Sequence, residues 1–166
     1  MDRCSKSRSK NGFVLIVTSV ALTILLAFAA LGIDIARMYV IKSELQAFTD
    51  AAALSAAMQL DGGGDGIVRA RDAAAQLASG PHAMKWDMGT KGISAIEESF
   101  AQGGESPDPR TWTAQPKDAG NYRFVRVVAS APVPLVFLRV FQTRETSTIA
   151  ASSIAVKIAQ VARLIE

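Results

Sequence analysis

The chain has one cysteine and one histidine among 166 residues, and that scarcity excludes a good deal of chemistry. One thiol and one imidazole cannot build a structural zinc site, and no disulfide framework can staple the fold. His82 follows Gly80-Pro81 without a nucleophile motif beside it, so it reads as a loop histidine rather than a catalytic base. Glu97 and Glu98 are adjacent and therefore point apart on a strand or a helix alike, which makes no acid–base pair. Aromatic residues make up 7% of the chain. Trp86 and Trp112 are expected among buried sheet aromatics rather than on a carbohydrate-binding surface. No catalytic set, cofactor motif or metal site emerges, and an enzyme is not the expected class.

Excess charge is equally scarce. The formal net charge is +3, and it resides in the first ten residues, where Arg3, Lys6, Arg8 and Lys10 stand against Asp2. The rest of the chain holds 14 basic and 14 acidic side chains. A nucleic-acid-binding face needs its basic residues on a folded surface, so that function is not expected. A basic arm ahead of an apolar run is instead what orients a membrane helix.

Such a run is present. Residues 12–33, GFVLIVTSVALTILLAFAALGI, contain no charge, and as a helix these would span about 33 Å, one crossing of a hydrocarbon core. Positive-inside places the N-terminus in the cytoplasm and the remainder across the membrane. Ala27-Phe28-Ala29 offers a competing reading as a signal-peptidase site, which would release an exported binding protein beginning at Ala30. Against cleavage, the apolar run continues past that site and enters a second helical pattern. Cys4 falls on the cytoplasmic side and reads as an incidental thiol.

No Pro or Gly interrupts residues 34–60. Met38, Ile41, Leu45, Phe48 and Ala52 recur at helical spacing and predict one amphipathic stripe, with Lys42, Gln46, Thr49 and Asp50 on the other side. The membrane helix is thus expected to run on as one rod. Asp34 and Arg37, one turn apart, either pair at the membrane interface or remain two solvated charges. Small residues abound: Ser19, Thr23 and Ala27 form one stripe, Gly32 and Ala36 another, and Ala51, Ala52, Ala53, Ala56 and Ala57 crowd the outer end. Such faces allow lateral packing of helices into homo- or hetero-oligomers, although alanine is also simply the best helix former.

Asp34-Ile-Ala-Arg37-Met-Tyr39, then Ser43-Glu-Leu45-Gln46, then Asp50-Ala51-Ala52-Ala53-Leu54-Ser-Ala-Ala57 resembles the N-terminal signature of TadG-like and TadE-like Flp pilus-assembly proteins. The resemblance implies a bacterial inner-membrane protein crossing once, with a pilin-like periplasmic domain that contacts other pilus-assembly or pilin subunits. Its surface would be exposed outside the cell only on joining a pilus. Gly12-Phe13 resembles a prepilin-peptidase junction, but pilin-type subunits carry Glu five residues into the mature chain, where Val17 stands here. An uncleaved accessory subunit, minor pseudopilin-like, is therefore expected.

The glycines of Asp61-Gly-Gly-Gly-Asp65-Gly66 end the rod. Asp65 is expected to cap a second helix over residues 67–79 with a narrow face of Ala70, Ala74, Leu77 and Ala78, folded back on the sheet or the rod. An EF-hand reading of Asp61, Asp65, Gly66 and Asp72 lacks the third ligand and the bidentate Glu. Short strands are expected at residues 83–88, 93–98 and 111–113. A stronger one at 122–129 carries Tyr122, Phe124, Arg126 and Val128 on one face and Arg123, Val125, Val127 and Ala129 on the other. Pro134 is expected in the first turn of a short helix presenting Leu135, Leu138 and Phe141, followed by a last strand over 146–159 with Ile154, Val156 and Ile158 alternating.

The segments 124–129, 133–141 and the Thr/Ser/Ala-rich close also look like the C-terminal region of TadG-like proteins, so the resemblance covers about two-thirds of the chain, residues 83–120 standing apart. The expected fold is α+β: a basic cytoplasmic arm (1–11), a transmembrane helix (12–33), its exported continuation (34–60), and a small exported α+β domain with an antiparallel sheet (61–166).

Overall fold

The computed structural model describes residues 8–79, 92–93, 95–116, 121–140 and 146–157. Helix α1, Arg8–Gln59, is a single rod of 52 residues. Helix α2 is Gly64–Ser79. Three strands follow, β1 at Ala95–Gln102, β2 at Tyr122–Pro134 and β3 at Thr146–Val156, and they form one antiparallel sheet in the order β1-β2-β3. The α+β architecture with a long apolar N-terminal helix is therefore present. The expected strand at 83–88, His82, Trp86, Phe141 and Ile158 lie outside the described residues.

The rod has two halves with opposite surroundings. Over residues 12–33 the apolar side chains are exposed, Phe13, Leu15 and Phe28 among them, except for the half-buried Ala30 and Leu31. The hydroxyls of Thr18, Ser19 and Thr23 donate to carbonyls one turn back within the helix, so they leave no unpaired donor on that surface. From Asp34 onward one stripe is buried: Ile41, Leu45, Phe48, Ala52 and Ala56. Enclosing Phe48 alone contributes about 2–3 kcal/mol.

The sheet lies across this stripe. Val125, Val127, Ala129, Ala131 and Val133 alternate along β2 and are all buried. Leu45 to Leu60 of the rod, Ile67, Ala70 and Ala74 of α2, and Phe100 of β1 join the same core. The rod beyond residue 34 and the domain after residue 60 are thus packed as one body. On β3 the core-facing residues are Ala151 and Ser153, while Ile154 and Val156 alternate onto the opposite, exposed face. The small side chains are turned inward because β3 meets the alanine-rich end of α1, and a helix and a strand approach closely only where neither carries bulk.

Several boundaries differ from those expected. β2 extends five residues past 129 through Pro132 and Pro134. β1 begins opposite Ser130, so among the described residues those prolines sit where β2 has β3 as its single neighbour, a place that tolerates their missing N–H. Pro134 closes the strand rather than opening a helix, and the expected short helix contracts to a single 3-10 turn at Leu138–Val140. Thr113 forms one isolated bridge with Phe100 instead of a strand. Trp112 is half-buried beside it rather than in the core.

The start of α2 is also capped differently. Asp61, not Asp65, takes the capping role: its Oδ1 accepts the Gly63 N–H at 2.9 Å, its other oxygen pairs with Arg69, and Gly62 turns the chain at φ 85°. Gly66 lies so close that a Cβ there would stand 2.2 Å from Asp61 Oδ1 and 2.9 Å from Asp61 N. Gly66→Ala is therefore expected to dislodge the Asp61 carboxylate and destabilise the docked α2 by about 1–2 kcal/mol, measured by denaturant unfolding of the detergent-solubilised chain.

Candidate functional site

β2 runs back toward the apolar half of the rod and delivers the turn after Pro134 to Asp34. The Asp34 carboxylate accepts three backbone N–H groups there, from Val136 at 3.3 Å, Phe137 at 2.8 Å and Leu138 at 2.7 Å. Asp34 is only 2% exposed. Neither arrangement expected of it, a pair with Arg37 or a solvated charge, is the one observed. Burial pushes its pKa up, but the three amides and the nearby Arg37 charge outweigh that and hold it below the ordinary value of 3.8. Successive N–H groups at the start of a tight turn form a natural cradle for a carboxylate.

A second attachment lies about three turns farther along. Ser153 of β3 points at the rod and meets Gln46 Nε2 at 3.0 Å and Thr49 Oγ1 at 2.8 Å, and it donates to Asp50 Oδ1. Gln46 also reaches Asp50 at 3.1 Å. Thr49, expected on the solvent side, is wholly buried. Its hydroxyl is 2.9 Å from the Gln46 carbonyl as well, so the buried group is satisfied.

A third closes the outer end. Lys157 Nζ donates to the Met58 carbonyl at 2.7 Å, placing a cation at the C-terminal turn of α1, where free carbonyls accumulate. The 24 residues from Asp34 to Met58 cover about 36 Å of helix. The 11 residues of β3 cover about the same distance as a strand. The rod is thus fastened at its lower end by the turn after β2, and at its middle and outer end by β3 and the residue that follows it.

Of the residues singled out in the sequence, Asp34, Gln46 and Asp50 make these attachments, and Leu45, Ala52 and Ala53 lie in the core. Ala51 and Arg37 are half-buried. Tyr39 and Leu54 are exposed, at 76% and 58%. Gly32 is exposed with open space around it. Arg3 and Lys6 lie outside the described residues, and Arg8 and Lys10 contribute helical backbone. Ala52, Ala53, Ala56 and Ala57 are covered by the chain's own sheet and second helix, so the outer small-residue end is not open to another helix. The stripe of Ser19, Thr23 and Ala27 is. The residues the sequence reading missed are Thr49, Ser153, Lys157 and the amides of 136–138.

The remaining polar groups do not converge. Glu98 faces the core side of β1; burial raises its pKa, and Arg71 on α2 opposes the rise. Arg71 stands 5.6 Å over the Phe100 ring and donates to the Ala114 carbonyl. Asp61, of the EF-hand-like carboxylates, is committed to Gly63 and Arg69. Among the described residues no group of three or more His, Cys, Asp or Glu side chains is placed to hold a metal ion.

Fold and attachments together define a stalk with a head: an apolar helix long enough to cross a membrane, continuing into a rod onto which a small α+β unit is fastened. Residues 12–59, which are nearly the whole of that rod, match the Tad family, described as Putative Flp pilus-assembly TadE/G-like. The match supports a role in pilus assembly, and it contains Asp34, Gln46, Thr49, Asp50 and Met58, the rod's side of all three attachments. It does not extend to the later strands. No curated protein and no solved structure gives a match.

With its pKa lowered in the fold, Asp34 stabilises fully above its ordinary value, and this contribution is lost as pH falls through the lowered one. Asp34→Ala leaves three amides without their acceptor and is expected to destabilise the head by about 2–4 kcal/mol at neutral pH, with Asp34→Asn recovering part. The difference between the native chain and Asp34→Ala should shrink on acidification below pH 3.8, as read by denaturant midpoints across pH.

Proposed function

We propose that this chain is a membrane-anchored accessory subunit, minor pseudopilin-like, in the assembly or presentation of adhesive Flp/Tad pili, acting by protein contact. The reading is carried by one observation: the family match over residues 12–59 coincides with the rod whose Asp34, Gln46 and Asp50 fasten the head. A polar pattern used for this purpose has a mechanical role. The apolar segment holds the chain in the bacterial inner membrane with its N-terminus in the cytoplasm, and the fastened head keeps a fixed height and orientation on the periplasmic side.

Two features favour a contact role outside the filament core. The exposed face of the sheet, with Glu97, Arg126, Ile154 and Val156, is a mixed polar and apolar surface suited to reversible partners. Val17 stands where filament-packing pilins carry a carboxylate, so the chain lacks the group that would pair with a neighbouring subunit inside lipid. The exposed stripe at Ser19, Thr23 and Ala27 remains for lateral association with another membrane helix.

Deleting the gene is expected to abolish surface pili and adhesion, with restoration by the native chain. Normal pili and attachment in the deletion strain would reject the role. The protein recovered from membranes should have the mass of a chain that still includes Cys4; an N-terminus at Ala30 would instead indicate the signal-cleaved binding protein.

A further inference from the structure

The turn that Asp34 holds does more than close the head. Phe137 and Leu138 project from it alongside the apolar helix and, with Ile24, Ala27, Phe28 and Leu31, line an open groove of about 510 Å³ that is almost wholly apolar. Those helix positions lie three to ten residues before Asp34, which puts the groove about 4–15 Å below it along the axis. If residues 12–33 span the bilayer, Asp34 marks the outer edge of the hydrocarbon and the groove opens into the outer leaflet.

Irregular backbone enters a bilayer only when its polar groups are satisfied from within the protein. The three consecutive N–H groups at Val136, Phe137 and Leu138 meet that condition through Asp34. The side chains they carry are the wrong kind for water: Val136 is 49% and Phe137 39% exposed. A paired backbone beneath uncovered apolar side chains, continuous with the exposed surface of a membrane helix, fits a lipid-facing wedge.

We propose that the turn at residues 136–138 is seated in the outer leaflet, where Phe137 and Leu138 together with Ile24, Ala27, Phe28 and Leu31 hold one acyl chain of a membrane phospholipid. The head is thereby anchored to the membrane twice, by its helix and by this wedge, which fixes its tilt as well as its height. The inference rests on the reading of residues 12–33 as a membrane span, and its test separates the two.

The experiment uses the full chain carrying Cys4→Ser, reconstituted in vesicles of phosphatidylethanolamine and phosphatidylglycerol, with nitroxide labels at Phe137→Cys, at Val136→Cys as a less intrusive second site, at Val20→Cys within the span and at Ile154→Cys on the far face of the sheet. Collision with oxygen, which concentrates in lipid, is compared with collision with a water-soluble nickel chelate. The expected result is a lipid signature at 136, 137 and 20 and an aqueous one at 154. A lipid signature at 20 with nickel access at 136 and 137 overturns the wedge and leaves the span standing. Low access to both reagents at 136 and 137 indicates a protein covering the turn and also overturns it. A lipid signature at 154 overturns selective insertion, and nickel access at 20 overturns the span itself.

Discussion

A buried carboxylate at the point where the rod leaves its apolar segment governs the shape of the whole molecule. Asp34 is 2% exposed and has no place there unless its charge is met by donors. The donors are three amides more than a hundred residues later in the chain. Satisfying one side chain therefore requires β2 to run its full length back to the rod, and this in turn sets the register in which β3 passes the helix. An ionised group placed at this height makes other positions of the head costly, because sliding the sheet by one residue strands the charge and its amides together.

Between the fixed ends, packing is by contact of small surfaces. Ala52, Ala53 and Ala56 of the rod and Ala151 of β3 share one core with Phe48, Val125 and Val127. Small side chains bury little area each, so specificity must come from elsewhere. The Ser153 cluster with Gln46, Thr49 and Asp50 provides it, since a hydroxyl with directional partners tolerates no shift that an alanine seam would allow. The same feature explains why alanine-rich helix in this chain signals intramolecular contact at its outer end and open surface only nearer the N-terminus.

Much of this was legible in advance, and the gaps have physical reasons. The uncharged run at 12–33, the stop at Asp61-Gly62-Gly63, the second helix and the division of β2 into two faces each follow from local pattern. Because they are polar, Asp34 is expected to pair with Arg37 or stay solvated and Thr49 to face away from the stripe, yet both fall on it by spacing: Asp34 lies four residues before Met38, and Thr49 lies four after Leu45 and four before Ala53. Position prevails over polar identity in the fold because each side chain has a partner that justifies its burial. The amides of 136–138 could not be found this way, because a backbone donor leaves no mark in sequence and its acceptor is remote. The alternation of Ile154 and Val156 is legible, but which face of β3 meets the core is not, since the larger residues face outward where the neighbouring helix admits only alanine and serine.

A rod fastened to its head at three heights holds that head in one position along the helix. The Asp34 anchor is tested most directly by following the amide proton and nitrogen resonances of Val136, Phe137 and Leu138 through an acid titration of the detergent-solubilised chain. One transition shared by all three and centred below 3.8 is the predicted result. Amides that ignore the titration, or an Asp34 that titrates at or above its ordinary value, would contradict the anchor.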